Sequence, residues 1–374
     1  MVRIGLIGYG NIGRAHHATL DQISNCAVAA VCSRTEIADL PAEIVQFKSI
    51  DAMLDAEVCD AVAVCTPTFD HIESARRVLD RGVALMVEKP IARDKAAVLG
   101  LIRGLDPSVP ACVMLNQRFQ PAYAKIKEIL DTQTIGDLYR VSWHMTAWYR
   151  PEIYFQTSTW RGTWSGEGGG LLLNQCIHNI DVLQWMLGMP ASVWADCRFG
   201  KFHDIEVEDE VHATMNYANN LVVQLTASSG ELPGINVLEL VGDLGAIRYA
   251  DGNLQVARLS QGRGDHSTTT LDMFGQPEVY WETVSVEEQI NPHEALWQEF
   301  VDTLNGSGSS SVPLDEGLNS IELANALLYS SWTDASVELP LDANAYAKAL
   351  ARRETGFREA SNTQANIDMN ASYR

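Results

Sequence analysis

Nothing in this sequence pairs its cysteines. The seven (Cys26, Cys32, Cys59, Cys65, Cys112, Cys176 and Cys197) are scattered, odd in number and never spaced C-x-x-C. Most lie in apolar, strand-like runs, which predicts buried free thiols in a reducing compartment and excludes a disulfide framework. Long apolar runs are also missing. The opening MVRIGLIGYG has no basic segment ahead of an apolar one and no cleavage site. Export and membrane insertion are therefore not expected, and a cytoplasmic protein is. Basic residues are scarce: 27 Lys and Arg stand against 48 Asp and Glu, a formal charge of −21. A field of that sign repels phosphates, which argues against nucleic acid and anionic membrane as partners. Any phosphate-bearing ligand then needs a local positive pocket.

What is present is a soluble balance, 46% apolar and 20% charged residues over 374 positions, a length that suits two domains. Up to about residue 120, short β-rich runs (Arg3–Ile7, Ala27–Cys32, Ala61–Cys65, Ala84–Val87, Ala111–Leu115) alternate with amphipathic stretches. That alternation predicts a parallel sheet covered by helices on both faces, an α/β domain. After Phe119 the character changes to longer alternating strands between Tyr139 and Tyr249, interrupted by a helix at Gln175–Leu187 and followed by helices at His293–Leu304 and Leu314–Tyr329. The pattern predicts an α+β domain with an open mixed sheet over residues 121–345. A C-terminal helix and polar tail are expected over 346–374, frayed from Ala360.

Gly8-Tyr9-Gly10-Asn11-Ile12-Gly13 follows the first strand and opens the first helix, the context that G-x-G-x-x-G requires. Gly8 permits the tight turn, Gly10 the close approach of a pyrophosphate, and Gly13 the packing of helix on sheet. The helix N-terminus offers N–H groups from about Asn11 and Ile12 to phosphate oxygens. Residues 1–120 are thus expected to form a Rossmann domain that binds a nicotinamide dinucleotide. An NAD-preferring site carries Asp or Glu at the end of the second strand, but here stand Ser33 and Arg34. A 2′-phosphate fits that pair, which leans the expectation to NADP; the alternative is an exposed arginine that only stacks on adenine.

Further along come Thr66-Pro67-Thr68 with His71, then Glu88-Lys89-Pro90, then Asn116-Gln117-Arg118-Phe119, and then WRGTWSGEGGGLLLNQCIHNIDVLQWMLG over 160–188. Together these resemble the glucose-fructose oxidoreductase / inositol dehydrogenase (Gfo/Idh/MocA) family. The resemblance implies a Rossmann domain, an open-sheet domain and an active site between them. By the same resemblance, Lys89 lies beside the nicotinamide and the reacting carbon, Glu88 near the nicotinamide ribose, and His178 is the catalytic histidine. Thr66, Pro67, His71 and Asn116 line the cofactor, and Trp160 with Arg161 reaches it from the second domain. One position departs: many inositol dehydrogenases carry aspartate four residues before the histidine, and this chain has Asn174. The departure removes an ionic partner of His178 and weakens a specific assignment to inositol.

The residues suit hydride removal from a secondary alcohol. His178 is expected to be the base at the substrate hydroxyl, since its intrinsic pKa lies near working pH. Lys89 is expected to steady the oxygen as a cation. Asn174 shares a helix face with His178 by its spacing, to bond substrate or orient the ring; Asp181 is the other candidate orienter. Gly168–Gly170 is expected to let that backbone approach a ligand. Tyr149 and Tyr154 stack on a sugar ring or pack at the domain junction.

No metal is expected. His16-His17 are neighbours that point apart on a helix, and Glu206–Val211, EVEDEV, reads as a solvated strand edge. The expected partner is a carbohydrate or polyol. Homodimers or homotetramers are expected through an apolar outer sheet face. Two alternatives of the same fold are a cofactor-assisted glycoside-cleaving enzyme and a non-catalytic dinucleotide-binding regulator.

Overall fold

The first six strands are parallel and short: β1 (Val2–Ile7), β2 (Cys26–Cys32), β3 (Val45–Phe47), β4 (Ala61–Val64), β5 (Ala84–Val87) and β6 (Ala111–Val113). The computed structural model describes residues 1–286 and 291–357. Helices α1 (Asn11–Leu20), α2 (Ile50–Asp55), α3 (Thr68–Leu79) and α4 (Lys95–Ile102) make the crossovers. β4 (AVAV) and β5 (ALMV) are buried at every position, as strands covered on both faces must be. The spatial order is β3-β2-β1-β4-β5-β6. The winding therefore reverses between β1 and β4, and the carboxyl ends of those strands frame the crevice in which sheets of this kind bind ligands.

A 3-10 turn (Asn116–Phe119) and helix α5 (Pro121–Asp131) lead to the second sheet. Its strands are β7 (Leu138–Met145), β8 (Ser192–Phe199), β9 (Glu208–Asn216), β10 (Val222–Ser228), β11 (Asn236–Gly242), β12 (Gly245–Ala250), β13 (Asn253–Leu259), β14 (Val279–Val284) and β15 (Val337–Glu338). They run β14-β13-β12-β11-β7-β10-β9-β8-β15. Only β7 and β10 pair in parallel.

Register explains the sheet's two faces. One line across it reads Val193, Met215, Val223, Val141, Leu240, Ile247, Val256, all apolar and at most 1% exposed. The neighbouring line reads Trp194, Thr214, Gln224, Ser142, Glu239, Arg248, Gln255. Period-two alternation sends the first set to the core and the second outward. The outer face is thus mostly polar, with Trp194 and, on the edge strand β14, Trp281 as aromatic exceptions, and not the apolar surface expected.

Between β7 and β8 lie α6 (Glu152–Gln156), α7 (Trp164–Glu167) and α8 (Ile177–Leu187); α9 (Arg263–Thr269) precedes β14. Helices α10 (Pro292–Leu304) and α11 (Glu316–Thr333) come before β15, and α12 (Ala343–Ala351) follows it. α10 and α11 pack back on the first domain. The buried Lys95 of α4 meets Glu322 of α11 at 2.8 Å, and Trp297 of α10 reaches His16 of α1. Strands β3, β13, β14 and β15 were not expected from sequence, and the tail from Ala360 lies outside the described residues. Among the described residues no helix is long and apolar enough to cross a membrane.

Candidate active site

The glycine loop shows three different constraints. Gly8 has φ +92°, and a Cβ there would lie 2.9 Å from the carbonyl oxygen of Cys65; one on Gly13 would lie 2.2 Å from that of Gly8. Gly10 faces open space, with nothing within 4 Å of its Cβ position. Gly10 is also the N-cap of α1, and no side chain among the described residues caps it. The first N–H groups, those of Asn11 and Ile12 included, therefore remain for a ligand at the positive helix end. At the end of β2, Ser33 donates to the Thr35 carbonyl. Arg34 is exposed and forms no ion pair with a described residue. The carboxylate of Asp39 is held by both guanidinium nitrogens of Arg14, at 2.7 and 2.8 Å.

Glu88 and Lys89 follow β5 directly. Glu88 is buried, and its Oε1 lies 2.7 Å from His16 Nε2. Trp297 Nε1, which can only donate, points at His16 Nδ1 at 2.9 Å, so Nδ1 accepts and Nε2–H donates to Glu88. Burial alone would raise the Glu88 carboxyl, but the His16 hydrogen bond and the Lys89 charge outweigh it and hold it at about 2. His16 is thus a strut for Glu88, and its neighbour His17 meets the Tyr9 hydroxyl.

Lys89 Nζ donates to the backbone carbonyl of Asn174 at 2.9 Å, bridging the domains. Burial depresses its pKa, with Glu88 opposing and Arg161 reinforcing the shift. The His71 ring nitrogens each lie 2.7 Å from a backbone carbonyl, Pro90 and Thr66. His71 therefore braces the two loops, with both nitrogens engaged by the chain itself.

The substrate side differs from expectation in four places. Asn174 stands in a run of turns before α8, which begins only at Ile177, so it and His178 are not on one helix face. Asp181 is no orienter: it takes a two-pronged contact from Arg118 at 2.7 and 2.8 Å and a third bond from Ser320. The glycine run admits the protein's own chain. Cβ atoms on Gly168 and Gly170 would lie 2.4 Å from Arg93 Cβ and 2.2 Å from the Glu208 carbonyl oxygen. Finally, Glu208 and Asp209 are fully buried and not a solvated edge. Glu208 accepts from Gly170 and Leu172 N–H at 2.8 and 2.9 Å; Asp209 binds the N–H groups of Lys201, Phe202 and His203. Burial drives the Glu208 carboxyl up to about 7.

His178 is 3% exposed, and neither ring nitrogen has a partner among the described residues. Burial first, then Lys89, pushes its pKa well below the ordinary value. Thr66 Oγ1 and Asn116 Oδ1 are likewise buried without partners. Orphaned polar atoms are costly unless something fills the space beside them. Together with the open Gly10 and uncapped α1, they fit a polar, phosphate-bearing ligand along the crevice.

Tyr154 approaches Asn174, and Arg161 donates to the Tyr154 hydroxyl while lying over that ring and over Trp160. Tyr149 is 38% exposed, with its carbonyl bonded by Arg150. Sequence reasoning missed Glu167, which is buried between Asn174 Nδ2 and Gly162 N–H. Burial raises its carboxyl, opposed by Arg161.

Residues 2–103 match a family model described as oxidoreductase family, NAD-binding Rossmann fold, and residues 123–248 match the GFO/IDH/MocA C-terminal domain. The chain is 29% identical over 203 residues to inositol 2-dehydrogenase of Rhizobium meliloti, covering 52% of this chain and 58% of that enzyme. It is 29% identical over 262 residues to inositol 2-dehydrogenase 2 of Saccharopolyspora erythraea, covering 66% and 72%. The first of these matches spans little more than half of its relative. Among solved structures, the WlbA dehydrogenase of Bordetella pertussis in complex with NADH and UDP-GlcNAcA superposes with a TM-score of 0.77 at 23% identity, covering 91% of this chain and 99% of that one. Levoglucosan dehydrogenase in complex with NADH and L-sorbose gives 0.75 at 19% identity, with the same coverage. At those identities the likeness is one of fold.

Proposed function

Because this chain belongs to the Gfo/Idh/MocA oxidoreductase family, we propose that it is an NAD(P)-dependent dehydrogenase or reductase acting at a secondary alcohol, or the matching ketone, of a sugar, cyclitol or glycoside. One observation carries the reading: Lys89 bridges to the Asn174 carbonyl at 2.9 Å while buried His178 keeps both ring nitrogens without a partner among the described residues. The class of substrate is supported by relatives named inositol 2-dehydrogenase and glucose-6-phosphate 3-dehydrogenase.

Gly8, Gly10, Asn11, Ile12 and Gly13 would hold the pyrophosphate; Thr66, Pro67, Glu88 and Asn116 would line the nicotinamide half, with Trp160 and Arg161 closing over it. When bound, the nicotinamide supplies the hydride acceptor. The remaining work belongs to the protein. His178, kept neutral by burial, takes the hydroxyl proton. The Lys89 ammonium steadies the oxygen as negative charge develops, in a site shielded from water. Asn174 bonds the substrate, and Tyr154 and Tyr149 flank the sugar ring.

NADP is the preferred cofactor on this reading, since Arg34 stands exposed and without an ion pair among the described residues where an NAD site would carry an acid. A cytoplasmic homodimer or homotetramer remains the proposal, although the polar outer face means that Trp194 and the exposed Tyr280 and Trp281 of β14 would supply the apolar contact. Static light scattering reads the assembly, and a monomer at micromolar concentration contradicts it. The activity itself is tested by nicotinamide absorbance over a panel of polyols, hexoses and glycosides with each dinucleotide.

A further inference from the structure

The departure at Asn174 has a counterpart seven residues earlier. Glu167 closes α7 and is 3% exposed. One of its oxygens accepts from Asn174 Nδ2 and the other from Gly162 N–H, at 2.6 Å. A carboxylate accepts and an amide NH2 only donates, so the contact settles which way the Asn174 amide points.

The bonds beyond it run the same way. Arg161 Nη1, which can only donate, meets the Tyr154 hydroxyl, and Gln175 Nε2 donates to that same oxygen at 3.4 Å. The tyrosine proton is then directed at Asn174 Oδ1, 3.4 Å away. Donors thus follow one direction from the Arg161 guanidinium through Tyr154 and Asn174 to the Glu167 carboxylate. Chains polarised from a cation to an anion hold each member's orientation more firmly than isolated bonds do. The backbone carbonyl of Asn174 meanwhile receives Lys89 Nζ. Both ends of this residue are therefore fixed.

We propose that Glu167 is a positioning residue of this site: by binding the Asn174 NH2 it turns the amide oxygen toward Tyr154, so that this position accepts a hydrogen bond from a substrate hydroxyl. The carboxylate missing at 174 stands at 167 instead, one hydrogen bond further from the substrate. Aspartate at 174 would face Glu167 as a like charge and lose the donor. The inference rests on the dehydrogenase reading for its substrate, and on geometry alone for the Glu167–Asn174 pair.

Two measurements test it separately. In protein labelled with 15N only at asparagine, the Asn174 side-chain NH2 signal is assigned by its loss in Asn174→Asp. Glu167→Gln should move that signal and speed its solvent exchange by at least about tenfold, as expected when a charge-assisted bond is removed. An unchanged signal overturns the pairing, whether or not any substrate is known.

In kinetics, the polyol or sugar that the wild-type enzyme turns over fastest is the probe. Glu167→Gln should raise its KM about tenfold. It should leave kcat within about threefold and the NAD(P)H dissociation constant, read by fluorescence, within about twofold. The double variant Glu167→Gln with Asn174→Asp restores a donor facing an acceptor, with the roles exchanged. It should recover at least half of the logarithmic KM loss. Unchanged KM in Glu167→Gln, additive losses in the double variant, or a joint fall of kcat, cofactor affinity and Tm overturns the positioning role. Wild-type silence over the whole panel removes the dehydrogenase reading instead, and leaves the labelling result to decide the pair.

Discussion

His178 carries the sharpest consequence of burial. A base must be unprotonated to act, and burial with Lys89 lowers its pKa well below 6.5. The competent form therefore persists as pH falls through 6.5 and is lost only at more acid pH. The profile of kcat/KM for alcohol oxidation should stay flat from pH 7 through 6.5, and His178→Ala should cost about 10²- to 10⁴-fold. A midpoint at or above 6.5 contradicts the role. Arg34 makes a separate claim. Arg34→Ala should weaken NADP about tenfold or more while barely changing NAD, the size expected for a lost charge-assisted contact; equal losses in equilibrium titrations contradict the lean.

Lys89 and His178 could be singled out because their motifs stand at characteristic separations, and the structure sets them close enough that the Lys89 charge acts on His178. Glu167 was not, because no motif marks it. The one signal was Asn174 itself, where a missing acid should have prompted a search for a displaced one. Asp181 was misread because sequence spacing to His178 says nothing of Arg118, which lies 63 residues away in the chain and claims it.

Among the elements, the glycine loop offers a paired contrast. A methyl on Gly10 meets open space, so Gly10→Ala should keep Tm near wild type while weakening dinucleotide binding. A methyl on Gly13 would lie 2.2 Å from the Gly8 carbonyl oxygen, so Gly13→Ala should lower Tm as well. Thermal unfolding with fluorescence titration separates the two, and equal Tm losses contradict the claim that Gly10 borders the ligand.

The contact between β9 and the glycine run makes a pH prediction. The Glu208 carboxyl is raised to about 7 in the fold, above its ordinary unfolded value near 4.3. The folded state then holds the extra proton between those values, so Glu208's stabilising contribution is full below the lower value and declines as pH rises through the upper one. Glu208→Gln should flatten that decline in Tm between pH 4.5 and 7; an unaltered slope contradicts it. The cluster was misread as exposed because the groups that satisfy Glu208, the N–H groups of Gly170 and Leu172, lie 36 to 38 residues away. β14 escaped notice for a different reason. Its side chains are exposed along nearly the whole strand, so no alternation of burial marks it.

At the scale of the whole molecule, the break near residue 120 was legible because both sheets announce themselves by period, apolar runs before it and alternation after. The return of α10 and α11 to the first domain was not, since single buried pairs such as Lys95–Glu322 and His16–Trp297 leave no local pattern. Those pairs couple the two domains around the crevice, and Lys89 completes the coupling by reaching Asn174. The chemistry proposed above belongs to that junction. The most direct measurement follows nicotinamide absorbance with NAD and NADP over polyols, hexoses and glycosides, in wild type, Lys89→Met and His178→Ala. Net turnover of at least one polyol or sugar is predicted, abolished in both variants while dinucleotide binding persists. Silence toward the whole panel by protein that demonstrably binds the dinucleotide, or intact turnover in both variants, would contradict it.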